Sequence, residues 1–245
     1  MTREPSEEEF LKHVERHQLT VALDNGLYRH LTLKEPKSSN RHFHITTWPG
    51  YLTISGDMGC YVFARTPDMF GFFRDDNHCR INPSYWGEKL QAIGRSESYR
   101  EFSKAAYRSA LVRDFRDYYP QGTPDRMRIW KDVRWTLLDD FSPSTAEEAI
   151  RAVDSYRDPN RESKFREFWD HRLTDYTYHY IWCCRAIVWA IKQYDDRQAL
   201  IGAGLTTAEK AAQASRCGCK GSDDLCPCQN APDAQTIAER LAGAA

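Results

Sequence analysis

The amino-acid sequence predicts an α+β fold, in which a small N-terminal antiparallel sheet with flanking helices precedes a mainly helical region and a Cys-rich C-terminal tail. Short runs rich in β-branched and aromatic residues, separated by Gly and Pro, predict the sheet. Apolar residues at helical spacing from residue 98 onward predict the helices. We therefore expect an α+β domain over 1–95, a helical region packed on it over 96–201 and an appendage over 202–245.

Four short runs are the predicted strands of an antiparallel meander. They are LYRHLTLK (27–34), HFHITTW (42–48), YLTIS (51–55) and CYVFAR (60–65), and turn residues separate the last three. An amphipathic helix in the first 17 residues precedes them, and RTPDMFGFFR predicts a short helix capped near Thr66. The segment INPSYWGEKLQAI carries a clearer helix signal, with Asn82 as the predicted N-cap and Pro83 at the first helical position.

Helical periodicity extends over most of residues 98–199. The first stripe of apolar residues runs to Tyr118, and the second, opened by Thr123-Pro124-Asp125, runs to Leu137. SPSTAEEAIRAVDSY is the third helix, with glutamates in its first turn that complement the helix dipole. FREFWD begins a fourth segment, and residues 176–199 form a long apolar helix.

The composition limits the class of protein. The 245 residues carry a formal net charge of -1, with 28% charged and 41% hydrophobic residues, which argues against a DNA mimic and a strongly basic nucleic-acid binder. No basic segment followed by an apolar one begins the chain, so no secretion signal is expected. The longest apolar run, Tyr180–Ile191, contains Arg185 and is too short for a membrane span. We expect an intracellular soluble protein with reduced cysteines.

Four cysteines are clustered in SRCGCKGSDDLCPCQN, residues 215–230, as two Cys-x-Cys pairs. Cys217, Cys219, Cys226 and Cys228 could supply four thiolates to a structural zinc ion, which would order a segment with few apolar residues. The single residue within each pair departs from the usual Cys-x2-Cys spacing and makes it harder for both thiolates to reach one metal. Free or disulfide-paired cysteines that stabilise a tail or a subunit contact are the equal alternative.

Other cysteines and histidines give weaker signals. Cys183 and Cys184 lie in mid-helix between aromatic residues, which favours burial as small apolar side chains over reactivity. His42 and His44 share one face of a predicted strand and could bind a metal together. No third ligand is apparent nearby, so a polar strand face is the favoured interpretation.

The sequence lacks the common catalytic motifs. We find no nucleophile elbow, His-Glu zincin pair, phosphate loop or dinucleotide glycine motif. Asp68 or Asp125 could join Glu162 and Lys164 in a metal-dependent nuclease triad, but such a triad needs its Glu and Lys on one strand, and these two lie in helical surroundings. Four Asp-Asp pairs fall at element ends, where caps and turns explain them. We therefore expect a protein that is not an enzyme.

Charge and aromatic content favour binding as the activity. Residues 95–134 carry ten Lys and Arg against six acidic residues, which form either a basic face for nucleic acid or, more commonly, paired charges on helix surfaces. The chain is 13% aromatic, with seven Trp and thirteen Tyr, and large amphipathic aromatics anchor protein interfaces. A binding protein fits this composition better than an enzyme does.

Two blocks of the sequence resemble those of a known family. They are HFHITTWPGYLTISGDMGCYVFART with FGFFR and INPSYWGEKLQA, over residues 40–95, and CGC...DDLCPCQN, over residues 215–233. Together they resemble a widespread protein family encoded by tailed phages and prophages. The pattern is also similar to the phage anti-Gabija proteins, which block a bacterial defence complex of an ATPase-like nuclease and a helicase-like partner. The helical middle, residues 98–200, lies outside the matching blocks.

The resemblance implies a non-enzymatic inhibitor in the host cytoplasm that oligomerises, wraps the defence complex and prevents it from binding and cutting DNA. In that family a C-terminal Cys-x-Cys element is associated with inhibitor-to-inhibitor contact, and Cys217 and Cys219 match it here. The implied partners are the host nuclease complex and further copies of the chain, without a membrane or a direct nucleic-acid ligand. The alternative is a phage nucleic-acid-binding or processing protein with a zinc module in the tail and a basic face over 95–134.

Overall fold

A computed structural model describes residues 4–74, 80–95, 97–162 and 164–202 of the chain. These residues form two compact units. The sheet unit comprises the described residues of 4–97 together with 178–202, and the helical unit comprises those of 98–177. An antiparallel sheet with flanking helices, followed by a helical region, confirms the predicted α+β class.

The described residues contain eight strands and seven α-helices. The strands are β1 (Gln18–Asn25), β2 (Tyr28–Lys34), β3 (Phe43–Trp48), β4 (Tyr51–Gly56), β5 (Gly59–Ala64), β6 (Leu90–Ile93), β7 (Arg100–Phe102) and β8 (Thr174–Tyr176). The helices are α1 (Glu7–Val14), α2 (Met69–Phe73), α3 (Pro83–Gly87), α4 (Lys104–Tyr118), α5 (Arg126–Arg134), α6 (Ala146–Ser155) and α7 (Tyr178–Gly202). A π-helical turn at Trp135–Asp139 continues α5, and a 3-10 turn lies at Phe168–Asp170.

The strands β1 to β6 form one antiparallel sheet in which each strand pairs with the next along the chain. Four of them, β2 to β5, confirm the predicted strands. The sequence pattern does not predict β1, which is exposed over most of its length and lacks a buried face of its own. The predicted helix that begins after Asn82 is also too long. It ends at Gly87 in the structure, and Leu90 then pairs with Phe63 of β5.

Side chains of β2 to β5 alternate between two faces of the sheet. On the inner face Leu31, Ile45, Ile54 and Phe63 are fully buried, because α1, α2 and α7 pack on that side. Their neighbours along each strand lie on the outer face and are half-buried or exposed. Because of this two-residue period, the central strands can be predicted from the sequence.

The long apolar helix predicted over 176–199 is confirmed as α7. Trp182 is its fully buried anchor, with edge-to-face contacts to Phe10 at 5.3 Å and Phe43 at 5.6 Å between ring centroids. These contacts place α7 in the sheet unit, whereas the sequence grouped it with the helices of 96–201. No helix within the described ranges is long and apolar enough to cross a membrane.

The helical unit packs α4, α5 and α6 around an apolar core that includes Leu111, Phe115, Val133, Val153 and Phe168. The helix α4 starts later than the predicted residue 98, because 100–102 form β7 and pair with β8. The fourth predicted helical segment, FREFWD, is irregular over 165–167 and ends in a short 3-10 turn over Phe168–Asp170. It turns the chain toward β8 instead of continuing as an α-helix.

Side-chain caps fix several helix starts. The side chains of Ser6, Ser103 and Thr145 accept a backbone N–H in the first turns of α1, α4 and α6. Asn82 caps α3, as the sequence predicts. The cap of α2 is Asp68 instead of a residue nearer Thr66, and its Oδ1 accepts the Phe70 N–H at 3.0 Å.

Candidate interaction surface

Four large apolar side chains are exposed together at one end of the outer sheet face. Tyr28 is 51% exposed, Leu23 48%, Tyr51 38% and Trp48 36%. The rings of Trp48 and Tyr51 are stacked, with centroids 5.2 Å apart and an angle of 13° between their planes. We call these four residues the aromatic patch.

The meander brings the aromatic patch together because its hairpin turns alternate between two ends of the sheet. Trp48 pairs directly with Tyr51 across the turn that joins β3 and β4. Gly50 has a φ of +86° in that turn, a backbone conformation that suits glycine. Tyr28 begins β2 at the same end, since its neighbour Arg29 pairs with Thr47 of β3.

A buried ion pair lies on the inner face behind this end of the sheet. Arg29 is 8% exposed, and its Nη1 donates to Asp68 Oδ1 at 2.8 Å. The guanidinium also lies over the ring of Phe70, 4.5 Å from the centroid. Burial alone would raise the pKa of Asp68, but hydrogen bonds from Arg29 and from the Phe70 N–H hold that pKa below its usual value. The pair fixes α2 to the sheet and gives the strands a rigid support.

Three histidines lie on the same outer face: His30 borders the aromatic patch, since it pairs with Leu23, and His42 and His44 lie toward the opposite end. The ring of His44 stacks on that of His30 at 5.5 Å and meets that of His42 edge-on at 5.7 Å. The Nδ1 atoms of His30 and His44 are hydrogen-bonded to Thr46 and Thr32, at 2.8 and 3.0 Å. Burial, followed by the nearby positive charges of His30, His42 and Lys34, lowers the pKa of His44.

The structure thus brings together the predicted pair His42 and His44 and adds His30, which sequence reasoning missed. The added residue comes from strand pairing, because Thr32 lies opposite His44 and His30 is two positions away on β2. Within the described ranges, however, no group of three or more His, Cys, Asp or Glu residues is arranged to hold a metal ion. The outer face is therefore a mixed polar and aromatic surface.

The cysteines divide between two parts of the chain. Cys183 and Cys184 are free and buried, and burial raises the pKa of both thiols above the usual value, which confirms their prediction as small apolar residues. The Cys183 thiol donates to the Met58 carbonyl at 3.3 Å. The predicted zinc ligands lie outside the described residues; they are Cys217, Cys219, Cys226 and Cys228.

The nuclease triad considered from the sequence is not formed on a strand. Glu162 and Lys164 pair with each other at 3.1 Å in an irregular segment that follows α6. Asp125 precedes α5 and forms a long ion pair with Arg128, at 3.9 Å. Asp68 is held by Arg29, as described above. Each side chain therefore has a structural partner of its own.

Charge pairing is sparse in the basic stretch 95–134. Among its ten Lys and Arg residues, Arg128 and Arg134 form ion pairs with carboxylates, at 3.9 and 2.9 Å. Arg100 and Arg126 lie over aromatic rings instead. Six exposed cations of this stretch form no ion pair with the described residues, and they are Arg95, Lys104, Arg108, Arg113, Arg116 and Lys131.

Comparisons with known proteins were made at three levels. No protein-family model, no curated protein and no solved structure matches the chain. The function is therefore inferred from the surfaces of the chain and from its sequence blocks.

Proposed function

We propose that this chain is a phage-encoded anti-defence protein that binds a bacterial immune nuclease complex of the Gabija kind and blocks its binding and cleavage of DNA. The resemblance of residues 40–95 and 215–233 suggests the target, and the aromatic patch supports binding as the mode of action. The site of action is the host cytoplasm. The inhibitor acts as a homo-oligomer, whose contacts involve the Cys-x-Cys element at Cys217 and Cys219.

The aromatic patch has the chemistry of an interface anchor. Trp and Tyr are enriched among residues that contribute most to binding, since each buries a large ring while its polar atom can still form a hydrogen bond. Trp48 and Tyr51 are exposed, although 40 other hydrophobic side chains among the described residues are buried. Keeping such rings in water is unfavourable, so a partner that covers them gains binding free energy.

The strands hold the patch ready for binding. Trp48 and Tyr51 are adjacent on paired strands and already stacked, so little side-chain entropy remains to be lost on association. A stable interface covers about 800 Å² on each partner, which is more than four side chains provide. Threonines and histidines of the same face would therefore form its polar rim, and they include Thr46, Thr53, His30 and His44.

Co-purification tests this proposal. Full-length protein should retain the reconstituted Gabija complex on a column and should restore phage plaques on Gabija-expressing cells. The double variant Trp48→Ala/Tyr51→Ala should lose about 1,000-fold in affinity, as expected for two anchors of about 2 kcal/mol each. Trp135→Ala is the matched control, because Trp135 is 64% exposed but belongs to the helical unit. We expect this control to bind like the wild type.

Two results would contradict the proposal. The first is a wild-type protein that neither retains the complex nor protects phage. The second is a Trp48→Ala/Tyr51→Ala variant that binds as tightly as the Trp135→Ala control. In the second case binding would still occur, but the aromatic patch would not be its anchor.

A further inference from the structure

The helical unit carries a second surface of different chemistry. Four exposed cations project from α4, and we call them the basic ridge: Lys104, Arg108, Arg113 and Arg116. At the start of the ridge is a cavity of about 260 Å³. Its lining includes Lys104 and Arg108 of α4 together with Leu138, Phe141 and Pro143.

The positive charge of the basic ridge is not neutralised within the described residues. Its three arginines form no ion pair there, and Lys104 donates to the Ser142 hydroxyl at 2.7 Å. Asp114, on the same helix, is buried and accepts a hydrogen bond from His171 at 2.7 Å, so it faces the core. Asp117 is the remaining acidic residue of α4, which leaves a clear excess of exposed positive charge.

The spacing of the cations suits an extended polyanion. Lys104, Arg108 and Arg116 follow the same i, i+4 row of the helix, and the rise of 1.5 Å per residue places its ends about 18 Å apart. Arg113 lies on the neighbouring row. Arginine is suited to phosphate because its planar guanidinium donates two parallel hydrogen bonds to phosphate oxygens.

The cavity adds an apolar site at the end of this row. Its lining includes the apolar side chains of Phe141 and Leu138, and the hydroxyl of Tyr107, which also lines it, already donates to the Leu137 carbonyl at 2.8 Å. The volume is below the range of about 300–1,000 Å³ typical of sites for drug-sized ligands. It therefore suits a single planar group, such as one nucleobase, with Lys104 and Arg108 at its mouth.

We propose that the helical unit binds single-stranded nucleic acid, with phosphates along the basic ridge and one base against Phe141. A positively charged track next to an aromatic platform is the arrangement used by proteins that bind single strands. A duplex would keep its bases stacked and out of the cavity. This activity is independent of the proposed inhibition, because the aromatic patch and the basic ridge lie in different units.

Fluorescence anisotropy of the full chain with labelled dT12 and rU12 tests the inference. Binding should weaken with salt, with a slope of log K against log salt near about -3 for four cations on a single strand. Arg108→Gln/Arg116→Gln should weaken binding at least about 10-fold and reduce that slope by about 1.4. Phe141→Ala should weaken binding about 10-fold while the slope stays the same, because it removes stacking and no charge.

Matched controls distinguish binding at the basic ridge from binding at another exposed cation or at the aromatic patch. Lys131→Gln removes an exposed, unpaired cation from α5 and should change the affinity less than two-fold. Trp48→Ala/Tyr51→Ala should leave oligonucleotide binding unchanged, so failure here and failure of the proposed inhibition are distinguishable. Circular dichroism confirms that each variant is folded.

Three outcomes would overturn the inference. They are absence of binding to both oligonucleotides at 50 mM salt, an equal loss in Lys131→Gln and in the ridge variant, and binding to a Glu-rich peptide of the same charge that is tighter than to dT12. The second would indicate diffuse attraction, and the third would indicate an acidic protein partner. If dT12 and rU12 bind equally, the ligand is a single strand of either sugar.

Discussion

The sheet unit and helix α4 of the helical unit differ in how their cations are paired. In the sheet unit Arg29 is buried against Asp68, and Arg74 forms two hydrogen bonds to Asp195, at 2.8 and 2.9 Å. In the helical unit the cations of α4 are exposed and form no ion pair with the described part of the chain, while Asp114 is buried. Both units expose aromatic rings, since Trp135 and Trp169 of the helical unit are 64% and 58% exposed, but the stacked pair of Trp48 and Tyr51 lies in the sheet unit and the row of cations on α4 lies in the helical unit. Variants that act in one unit can therefore be matched with similar ones in the other.

The largest expected effect comes from the apolar core of the sheet unit. Trp182→Ala removes a fully buried ring that contacts Phe10 and Phe43, and it should lower the free energy of unfolding by about 3–5 kcal/mol. Urea denaturation followed by circular dichroism measures this change. Trp135→Ala, at an exposed position of the helical unit, should change it by less than about 0.5 kcal/mol. Equal losses in both variants would contradict the assigned burial of these two residues.

The same comparison explains which strands could be predicted. In β2 to β5 a buried residue alternates with a half-buried or exposed one, because helices cover one face only. In β1 most side chains are exposed, and its place in the sheet comes from pairing with β2, which local sequence does not encode. The four residues of β6 are too few to show a two-residue period, so the sequence pattern assigns Leu90 and Ile93 to the preceding helix.

The candidate surfaces were only partly predictable. Tyr28, His30, His44 and Trp48 follow the two-residue period of their strands, so their shared outer face could have been found from the sequence. Their contacts across β2 and β3 depend on register, which the sequence leaves open. On α4 Arg108 lies four residues from another cation, Lys104, instead of from an acid, and Arg113 forms no ion pair within the described residues although Asp117 lies four residues after it.

A smaller effect is expected at the buried ion pair of the sheet unit. Arg29→Met removes the partner of Asp68 and should cost about 2 kcal/mol of the free energy of unfolding. The cost stays below that of a fully buried pair because the Asp68 side chain is 35% exposed. Arg108→Met is the control in the helical unit, where an exposed cation without an ion pair should matter by less than about 0.5 kcal/mol.

A second variant sharpens this result. Arg29→Met/Asp68→Asn removes both charges while Asn keeps an oxygen that can cap α2, so it should recover part of the stability lost in the single variant. No recovery would mean that the loss came from packing of the Arg29 side chain on Phe70 and not from an unpaired carboxylate.

The smallest expected effect is a dependence of stability on pH that arises from histidines of the sheet unit. Burial lowers the pKa of His17, although the hydrogen bond to the Arg41 carbonyl opposes this, and burial with nearby positive charges lowers that of His44. The pKa of both is about 6.5 when unfolded, so below that pH the unfolded chain binds more protons and is favoured. The free energy of unfolding should thus be constant above about pH 7 and fall as the pH drops from 6.5 toward the lowered pKa values. Urea titrations at pH 7.5, 6.5 and 5.5 and fixed ionic strength measure this fall, and His17→Gln/His44→Gln should reduce it. A wild-type stability that rises on acidification would contradict neutral, desolvated histidines at these two positions.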